Sequence, residues 1–301
     1  MKELFREERW NTDWGDMKCS LVNCCLCNSS EHMVIGEDNS FKIVKCKECG
    51  FMYVNPRPNQ ESLRRYYNRY YLSKSKADIV KDWGKDMKLV FKEAKEKIVA
   101  EYIDGRLLDV GCGFGFFLDS MKDSKLNLFG VDLDGSAINF ARKKFHIKNI
   151  NNVDFLDNEF PDNYFDVVTM FYILEHVQDP KLFLFEAFRV LKEGGVLVIR
   201  VPHNEPLLRL KRYFPFLPFS FNAPMHLNDF SFRTLKLVLK LTGFENIYIF
   251  VGNHRTPRNK VKKTIIYTIT KLAKIIYLLS NGRVVAPFGG GLTAYSYKKK
   301  Q

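Results

Sequence analysis

The sequence predicts an α/β protein in which a Rossmann-like, doubly wound sheet of seven strands carries a small metal-binding module at its N-terminus. Two observations predict the sheet: strands and helices alternate after Gly105, and the first strand runs into a glycine-rich turn at residues 109–115. A third observation predicts the module, because six of the seven cysteines fall within the first 49 residues. A chain of 301 residues has room for one large domain and such an appendage.

Four of these cysteines are spaced to hold one metal ion. Cys24 and Cys27 form one Cys-x-x-Cys pair, Cys46 and Cys49 form the other, and 18 residues separate the two pairs. This spacing is typical of a zinc ribbon. Four thiolates complete a tetrahedral site without an open position, so we expect zinc in a structural rather than a catalytic role. The alternative is a set of free or buried thiols.

The composition then divides the chain. We predict the zinc ribbon and an N-terminal arm in residues 1–58, and a helical linker in residues 59–104 that begins after an extended Asn-Pro-Arg-Pro segment. The main domain comprises residues 105–252 and 289–301. Residues 253–288 are expected to form a basic amphipathic helical insertion before the last strand.

The individual elements follow from apolar runs and their spacing. Short runs rich in β-branched residues predict strands, and apolar residues at helical spacing between them predict helices. The predicted strands cover residues 106–110, 126–132, 149–153, 165–170, 196–201 and 292–297. The predicted helices cover residues 61–71 and 79–102 in the linker, then 114–121, 136–145, 180–191 and 232–241.

The positive charge is concentrated at the C-terminal end. The net charge is +13, and no Asp or Glu follows Glu245, so residues 246–301 contribute +11. One basic face of this kind suits an anionic lipid, a phosphorylated substrate or simple solubility, and it disfavours a general nucleic-acid surface. Residues 1–18 are charged throughout and do not resemble a secretory signal, so we expect a cytoplasmic protein, with contact to the inner membrane face as an option.

The glycine-rich turn indicates a nucleoside ligand. Glycines at this position let the backbone approach a ligand closely, and Asp132 at the end of the next strand is placed to take the two hydroxyls of a ribose. The spacing is Gly-x-Gly-x-Gly, and Phe116 stands where a dinucleotide fingerprint has its third glycine. A phosphate-binding loop is also missing from the sequence. A nucleoside without phosphates therefore fits better than a dinucleotide.

With these motifs in place, the chain resembles the class I S-adenosylmethionine-dependent methyltransferases. The matching stretches are residues 107–115, 130–132, 165–168, 174–177 (Leu-Glu-His-Val) and 191–195, within a resemblance that covers about residues 80–250. The cysteine pairs, followed by residues 49–58, look like a bacterial subgroup with a fused zinc ribbon. Members of that subgroup commonly modify sugars or other small molecules, including cell-surface polysaccharide precursors.

The resemblance implies S-adenosylmethionine as cofactor and assigns the loop residues to it. Gly111, Gly113 and Gly115 would line the methionine part and the ribose, with Asp109 anchoring the loop. Asp132 would bind the ribose hydroxyls.

Five further residues are implied around the adenine and the reactive methyl group. Leu133 would lie beside the adenine, and Asp154 with Phe155 would meet its amino group and ring. Phe171 and Tyr172 would wall the methyl-transfer site.

Methyl transfer to a hydroxyl or carbon also needs a base, and histidine is the usual choice near neutral pH. His176 follows the fourth strand at the expected edge of the sheet, and in the similar sugar C-methyltransferases the Glu-His pair at this position serves the chemistry, so Glu175 would orient His176. His226, before the predicted helix 232–241, is the alternative base, and His203 is the third candidate. Each of them has a purely structural interpretation as well.

The sequence thus predicts methyl transfer to a small molecule, a sugar or glycan precursor. A quinone-type O-methyltransferase is an alternative, although Tyr172 and Ile173 stand where those enzymes have further acidic residues. A non-catalytic adenosine-binding or zinc-ribbon interaction protein, an NAD oxidoreductase and an RNA methyltransferase are the others. The aromatic segment 207–221 is either a substrate lid or packing under the ribbon, and a helix over 264–280 either packs on the core or lies at a membrane surface.

Overall fold

In the computed structural model of the protein, the description covers residues 17–73, 84, 86–204, 208, 213, 221–253 and 291–300, with seven further positions between 264 and 279. Near the N-terminus, short strands contain or flank the cysteines. They are β1 (Cys19–Ser20), β2 (His32–Asp38), β3 (Phe41–Cys46), β4 (Met52–Val54) and β5 (Arg57–Pro58). In the described part of the linker, the helices are α1 (Gln60–Ser73) and α2 (Lys88–Glu101).

The main domain alternates between strands and helices as expected. Its strands are β6 (Asp104–Val110), β7 (Lys125–Asp132), β8 (Asn149–Asn152), β9 (Phe165–Phe171), β10 (Leu191–Val201), β11 (Asn228–Asp229), β12 (Glu245–Val251) and β13 (Leu292–Tyr297). The helices with described bounds are α3 (Phe116–Ser120), α4 (Gly135–Phe145), α5 (Pro180–Val190) and α6 (Phe232–Leu241), with a 3-10 turn at Phe155–Asp157.

Seven of these strands form one sheet in the order β12-β13-β10-β9-β6-β7-β8, which confirms the predicted doubly wound sheet. The pairs among β10, β9, β6, β7 and β8 are parallel, and β13 is antiparallel to both of its neighbours. Strand order reverses beside β6, and this is where open α/β sheets bind ligands, outside the carboxyl ends of the strands.

The helices begin where the sequence supplies caps. The Asp134 side chain accepts hydrogen bonds from the Ser136 and Ala137 amides at the start of α4. Asp179 does the same for Lys181 at the start of α5, and Ser231 forms a capping box with Thr234 at the start of α6. Such caps satisfy amides that have no partner inside the helix.

A short strand from the main domain completes the ribbon sheet. β11 pairs with β4 in a four-stranded sheet of order β11-β4-β3-β2, with Asn228 opposite Tyr53. Phe51 also packs against Phe230, with ring centroids 5.2 Å apart. The ribbon therefore shares hydrogen bonds and core with the main domain.

Some predicted boundaries move. The helix predicted over 180–191 ends at Val190, because Leu191 already pairs with Phe165 at the start of β10, and a register shift follows before Val196. From the predicted aromatic segment, Leu208 and Phe221 pack on the cluster around Ile43 and Met52 of the ribbon. Most of that segment lies outside the described residues.

The predicted helix over 264–280 is described at seven positions only. These positions are helical and exposed, and Leu272, Ile275, Ile276 and Leu279 are among them. None of the helices in the described part of the chain is both long and apolar enough to span a bilayer.

Candidate active site and metal centre

The glycine-rich turn after β6 bends the chain through a left-handed backbone. Gly111, Gly113 and Gly115 have φ values of 69°, 49° and 77°, a region that glycine adopts without strain. A Cβ on Gly115 would lie 2.8 Å from Ala141 Cβ, so the third glycine serves packing. A Cβ on Gly113 would meet nothing closer than Asp132 Oδ2 at 3.9 Å. Gly113 therefore faces the open space in which a ligand would lie.

Asp132 closes this space from the end of β7. Its Oδ2 accepts a hydrogen bond from the Gly113 amide at 2.7 Å, and its Oδ1 accepts one from the Asp134 amide at 2.8 Å. Each oxygen retains a lone pair, which is the acceptor set that two ribose hydroxyls require. Burial raises the pKa of Asp132, with backbone hydrogen bonds acting in the opposite direction.

Asp109 lies behind the turn, at 3% exposure. Thr169 Oγ1 donates a hydrogen bond to its Oδ1 at 2.6 Å, and this contact joins β6 to β9. Burial raises the pKa of Asp109 from 3.8 to about 7. Its carboxyl group thus supports the turn from inside the protein.

Leu133, predicted to lie beside adenine, is exposed next to Asp132. The Asp154 side chain accepts a hydrogen bond from the Leu156 amide at 3.0 Å and caps the 3-10 turn. Phe155 is buried, and its ring lies 5.8 Å from that of Phe183. The adenine contacts of these residues stay predictions.

The two residues predicted to wall the methyl-transfer site close β9. Phe171 packs on Phe117, with ring centroids 4.6 Å apart. Tyr172 is nearly buried and has a positive φ of 60°, which is uncommon for an aromatic residue and is found at functional sites. Arg200 Nε donates a hydrogen bond to Tyr172 Oη at 3.3 Å.

His176 lies just beyond this wall, and its ring is held from one side. Its Nδ1 lies 2.8 Å from the Met225 carbonyl oxygen and 3.1 Å from Tyr67 Oη, which itself donates to the same carbonyl at 2.9 Å. A carbonyl only accepts, so in the neutral ring Nδ1 carries the proton. Nε2 is then left as the basic nitrogen.

Glu175 and His226 complete a cluster around this nitrogen. His176 Nε2 lies 3.8 Å from Glu175 Oε1, and the Glu175 side chain is almost fully buried. The His226 ring lies perpendicular to that of His176, with centroids 4.9 Å apart. All three predicted catalytic residues thus lie together, with ligand atoms within 4.8 Å of one another. His203 packs on Phe232 instead.

The four predicted cysteines also converge. Their sulfur atoms all lie within 4.8 Å of one another, with Cys24 and Cys49 3.5 Å apart and Cys27 and Cys46 3.5 Å apart. A zinc–sulfur bond of about 2.3 Å implies a tetrahedral sulfur–sulfur edge of about 3.8 Å, so the set fits one zinc ion. Cys25 is not part of this cluster.

An open groove of ≈ 470 Å³ lies beside the cysteines. Cys27 and Cys49 line it together with three cations from one face of α6, Arg233, Lys236 and Lys240. These cations are exposed, and Glu48 also lines the groove. Four thiolates around one Zn²⁺ carry a net charge of −2, which such cations would compensate.

The structure adds residues that the sequence did not single out. Tyr67 reaches His176 from α1. Arg57 and Asn228 bind the loop that carries Glu175 and His176. The sequence signals for them were the Asn-Pro-Arg-Pro segment and the four tyrosines within the predicted helix 61–71, and neither specifies a partner.

Comparison with known proteins agrees with this geometry. The family model for a methyltransferase domain matches residues 66–249, which is more than half of the chain. The chain therefore belongs to the methyltransferase-domain family, and the predicted class I methyltransferase is confirmed at this level.

Two curated relatives illustrate the range within the family. A probable S-adenosylmethionine-dependent methyltransferase from Mycolicibacterium smegmatis is 30% identical over 139 residues, which are 46% of this chain and 51% of the relative. The ubiquinone biosynthesis O-methyltransferase of Nitrosomonas europaea is 32% identical over 119 residues, 37% of this chain and 49% of the relative. The chain thus spans about half the length of these relatives.

A solved structure also shares the fold. It is a chain from the complex between the Haloferax volcanii Trm112 methyltransferase activator and a methyltransferase, with a TM-score of 0.51 and 16% identity over 73% of this chain and 94% of that chain. At this identity the match supports the fold alone.

Proposed function

We propose that this protein transfers a methyl group from S-adenosylmethionine to a small-molecule acceptor, and that the acceptor is a sugar or a cell-surface glycan precursor. One observation carries the proposal. At the carboxyl edge of the sheet, a ribose-type site made by Gly113 and Asp132 accompanies a histidine whose basic nitrogen faces a buried carboxylate.

The cofactor, when bound, supplies a methyl group that its sulfonium centre has already activated. The residues of this chain would bind the cofactor and orient the reacting groups. Asp132 and the glycine turn would hold the nucleoside, and Phe171 and Tyr172 would exclude water from the reacting groups. Alignment of this kind is worth about 7–11 kcal/mol of the barrier.

His176 would move the acceptor's proton. Nε2 of His176 would accept the proton as the nucleophile attacks, while the Nδ1–H group stays bonded to the Met225 carbonyl. The imidazolium formed would then lie 3.8 Å from the Glu175 carboxylate, which stabilises the charge. His226 would contribute a second ring beside the proton path.

The sugar-type acceptor rests on the fused zinc ribbon, which is shared with the subgroup that the sequence resembles. A quinone-type O-methyltransferase is the second candidate, because a ubiquinone-pathway enzyme is among the relatives. Tyr172 and Ile173, in place of further acidic residues, favour the first proposal. A non-catalytic adenosine-binding protein would have no need for a basic nitrogen at His176 Nε2 beside the buried Glu175 carboxylate.

The test separates binding from chemistry. Calorimetry should show S-adenosylmethionine binding that Asp132→Ala weakens strongly, and NAD should not bind. Turnover with a pool of nucleotide sugars and one of quinone precursors should fall at least about 100-fold in His176→Ala, the usual contribution of a general base, with cofactor binding preserved. His226→Ala tests whether the His226 ring acts as a base or only lies beside His176. Full turnover in both variants would overturn the base assignment.

We also propose a cytoplasmic location with peripheral membrane contact through the basic segment 253–288. Two observations support it: Leu272, Ile276 and Leu279 are exposed, and the sequence after Glu245 contains Lys and Arg but no Asp or Glu. Co-sedimentation with phosphatidylglycerol vesicles, compared with neutral phosphatidylcholine vesicles, tests it, and equal recovery with both would contradict it.

A further inference from the structure

We infer that the metal-binding ribbon positions the base. Arg57 of the ribbon, and Asn228, which lies opposite Tyr53 of the ribbon, fix the loop that carries Glu175 and His176. The inference rests on the proposed function, in which His176 receives the proton. It gives Arg57 and Asn228 a role in orienting the base, in addition to the pairing of β11 with β4.

Arg57 enters the loop from the ribbon side. It is 4% exposed, and its guanidinium group donates hydrogen bonds to the Gln178 carbonyl oxygen, to Asn228 Oδ1 at 2.8 Å and to the Leu227 carbonyl oxygen at 3.4 Å. The planar guanidinium fork holds three acceptors in a fixed relation, which a lysine at the same position could not reproduce.

Asn228 holds the same loop from β11. Its Nδ2 donates to the Leu174 carbonyl at 3.0 Å and to the Val177 carbonyl at 2.7 Å, so one amide group bridges both sides of the catalytic pair. Its backbone N–H and that of Leu227 donate to the Glu175 carbonyl, at 3.2 Å and 2.7 Å.

The loop is therefore fixed at four of its carbonyl groups, those of Leu174, Glu175, Val177 and Gln178. The donors seen among the described residues belong to Arg57 and to two consecutive residues, Leu227 and Asn228, at the start of β11. In return, Gln178 Nε2 donates to the Pro58 carbonyl at 2.8 Å. These contacts fix the backbone of the loop and therefore the position from which the His176 side chain reaches the Met225 carbonyl and Tyr67.

The contacts lead back to the metal ligands within a few residues. β4 begins three residues after Cys49 and pairs with β11, and the Val54 amide donates to the Leu227 carbonyl at 2.9 Å. A ribbon that loses its cysteine cluster loses the strand on which β11 rests. The orientation of His176 should therefore depend on a metal centre that never touches the substrate.

The test uses the full chain and a readout that needs no acceptor. The ring signals of His176 are followed by NMR across a pH titration, with assignment from His176→Gln, and amide hydrogen exchange is followed over residues 173–179. We compare Arg57→Lys, which keeps the charge, with Arg65→Lys, a control on α1 whose exposed side chain pairs with Glu61.

Arg57→Lys should move the His176 ring signals and its titration midpoint, and it should speed exchange in residues 173–179 about 10-fold, the effect expected when a buried carbonyl loses a donor. Arg65→Lys should change neither. The unsubstituted chain treated with a zinc chelator should show the same changes as Arg57→Lys, and this arm also decides the matter if Arg57→Lys does not fold.

Unchanged His176 signals after metal removal from the folded chain would overturn the inference. Calorimetry with S-adenosylmethionine runs beside these measurements. Failure to bind the cofactor would sink the proposed function, while the His176 signals would still report whether the ribbon positions the loop.

Discussion

At the scale of a single residue, the burial of the Asp109 carboxyl group is unfavourable, but the side chain holds the ligand site in shape. The carboxyl group is buried behind the turn with one strong partner, Thr169. A buried carboxyl with so few donors favours its neutral form. The protein holds it there because the side chain joins β6 to β9 at the base of the ligand site.

The pH dependence of stability should reveal this group. The pKa of Asp109 is raised from 3.8 to about 7, so the folded state binds the proton more tightly than the unfolded chain. The stabilisation is complete below pH 3.8 and is lost as pH rises through 7. The melting temperature of the unsubstituted protein should therefore fall as pH rises between these values, and Asp109→Asn should remove this part of the fall. A difference curve between the two proteins that is flat over this range would contradict it.

Gly113 and Gly115 form a matched pair for the ligand site. Both have positive φ, so either alanine substitution carries about 1–2 kcal/mol of backbone strain. Only at Gly115 does the Cβ also clash, with Ala141 Cβ at 2.8 Å. Gly113→Ala should fold with a modest drop in melting temperature and weaken S-adenosylmethionine binding at least about 10-fold. Gly115→Ala should lose more stability. Unchanged cofactor affinity in folded Gly113→Ala would place the ligand elsewhere.

Helix α6 lies between the main core and the groove beside the cysteines. Its buried face packs Leu235 and Val238 in the main core, while Arg233, Lys236 and Lys240 face the groove beside the cysteines. Its first turn follows directly on β11. The helix thus connects the cysteine cluster to the segment that holds the loop of Glu175 and His176.

The cations of α6 should stabilise the bound metal. In Lys236→Ala and Arg233→Ala, less positive charge faces four thiolates with a net charge of −2, so zinc release to a chelator should be faster. The release rate should rise less than about 10-fold, because removal of a hydrogen-bonded outer-shell partner lowers metal affinity by about 10-fold and these cations do not bond the ligands. Lys125→Ala, an exposed change on β7, is the control. Equal release rates in all three variants would show that the groove cations do not interact with the thiolates.

For the whole molecule, periodic patterns predicted the elements well. Strand β13 and helix α6 were predicted at their observed bounds, and the four cysteines and the three catalytic candidates do converge. Apolar runs and Cys-x-x-Cys spacing are local signals, and local signals are legible in a sequence.

The partners of the loop could not be predicted in this way. β11 has two residues, and Arg57 and Asn228 are 171 positions apart, so no period or spacing links them. Tyr67 likewise meets His176 only through the packing of α1 on the main domain. Buried polar contacts between distant segments depend on the finished fold.

The metal centre should behave as one unit in the whole molecule. Elemental analysis should find one zinc per chain, because the four sulfur atoms form one closed site. Chelation should unfold residues 19–55, measured by hydrogen exchange, and the glycine turn should keep at least part of its cofactor affinity. Complete loss of binding would show that the two parts unfold together.

The shared sheet also has a consequence for synthesis of the chain. The cysteines emerge early and can take up metal at once, but β4 then stays at an open edge until β11 has been made. Such an edge is a template for pairing with other chains. A chain truncated before residue 228 would still bind the metal but would lack the strand that covers the edge of β4. We expect that product to aggregate.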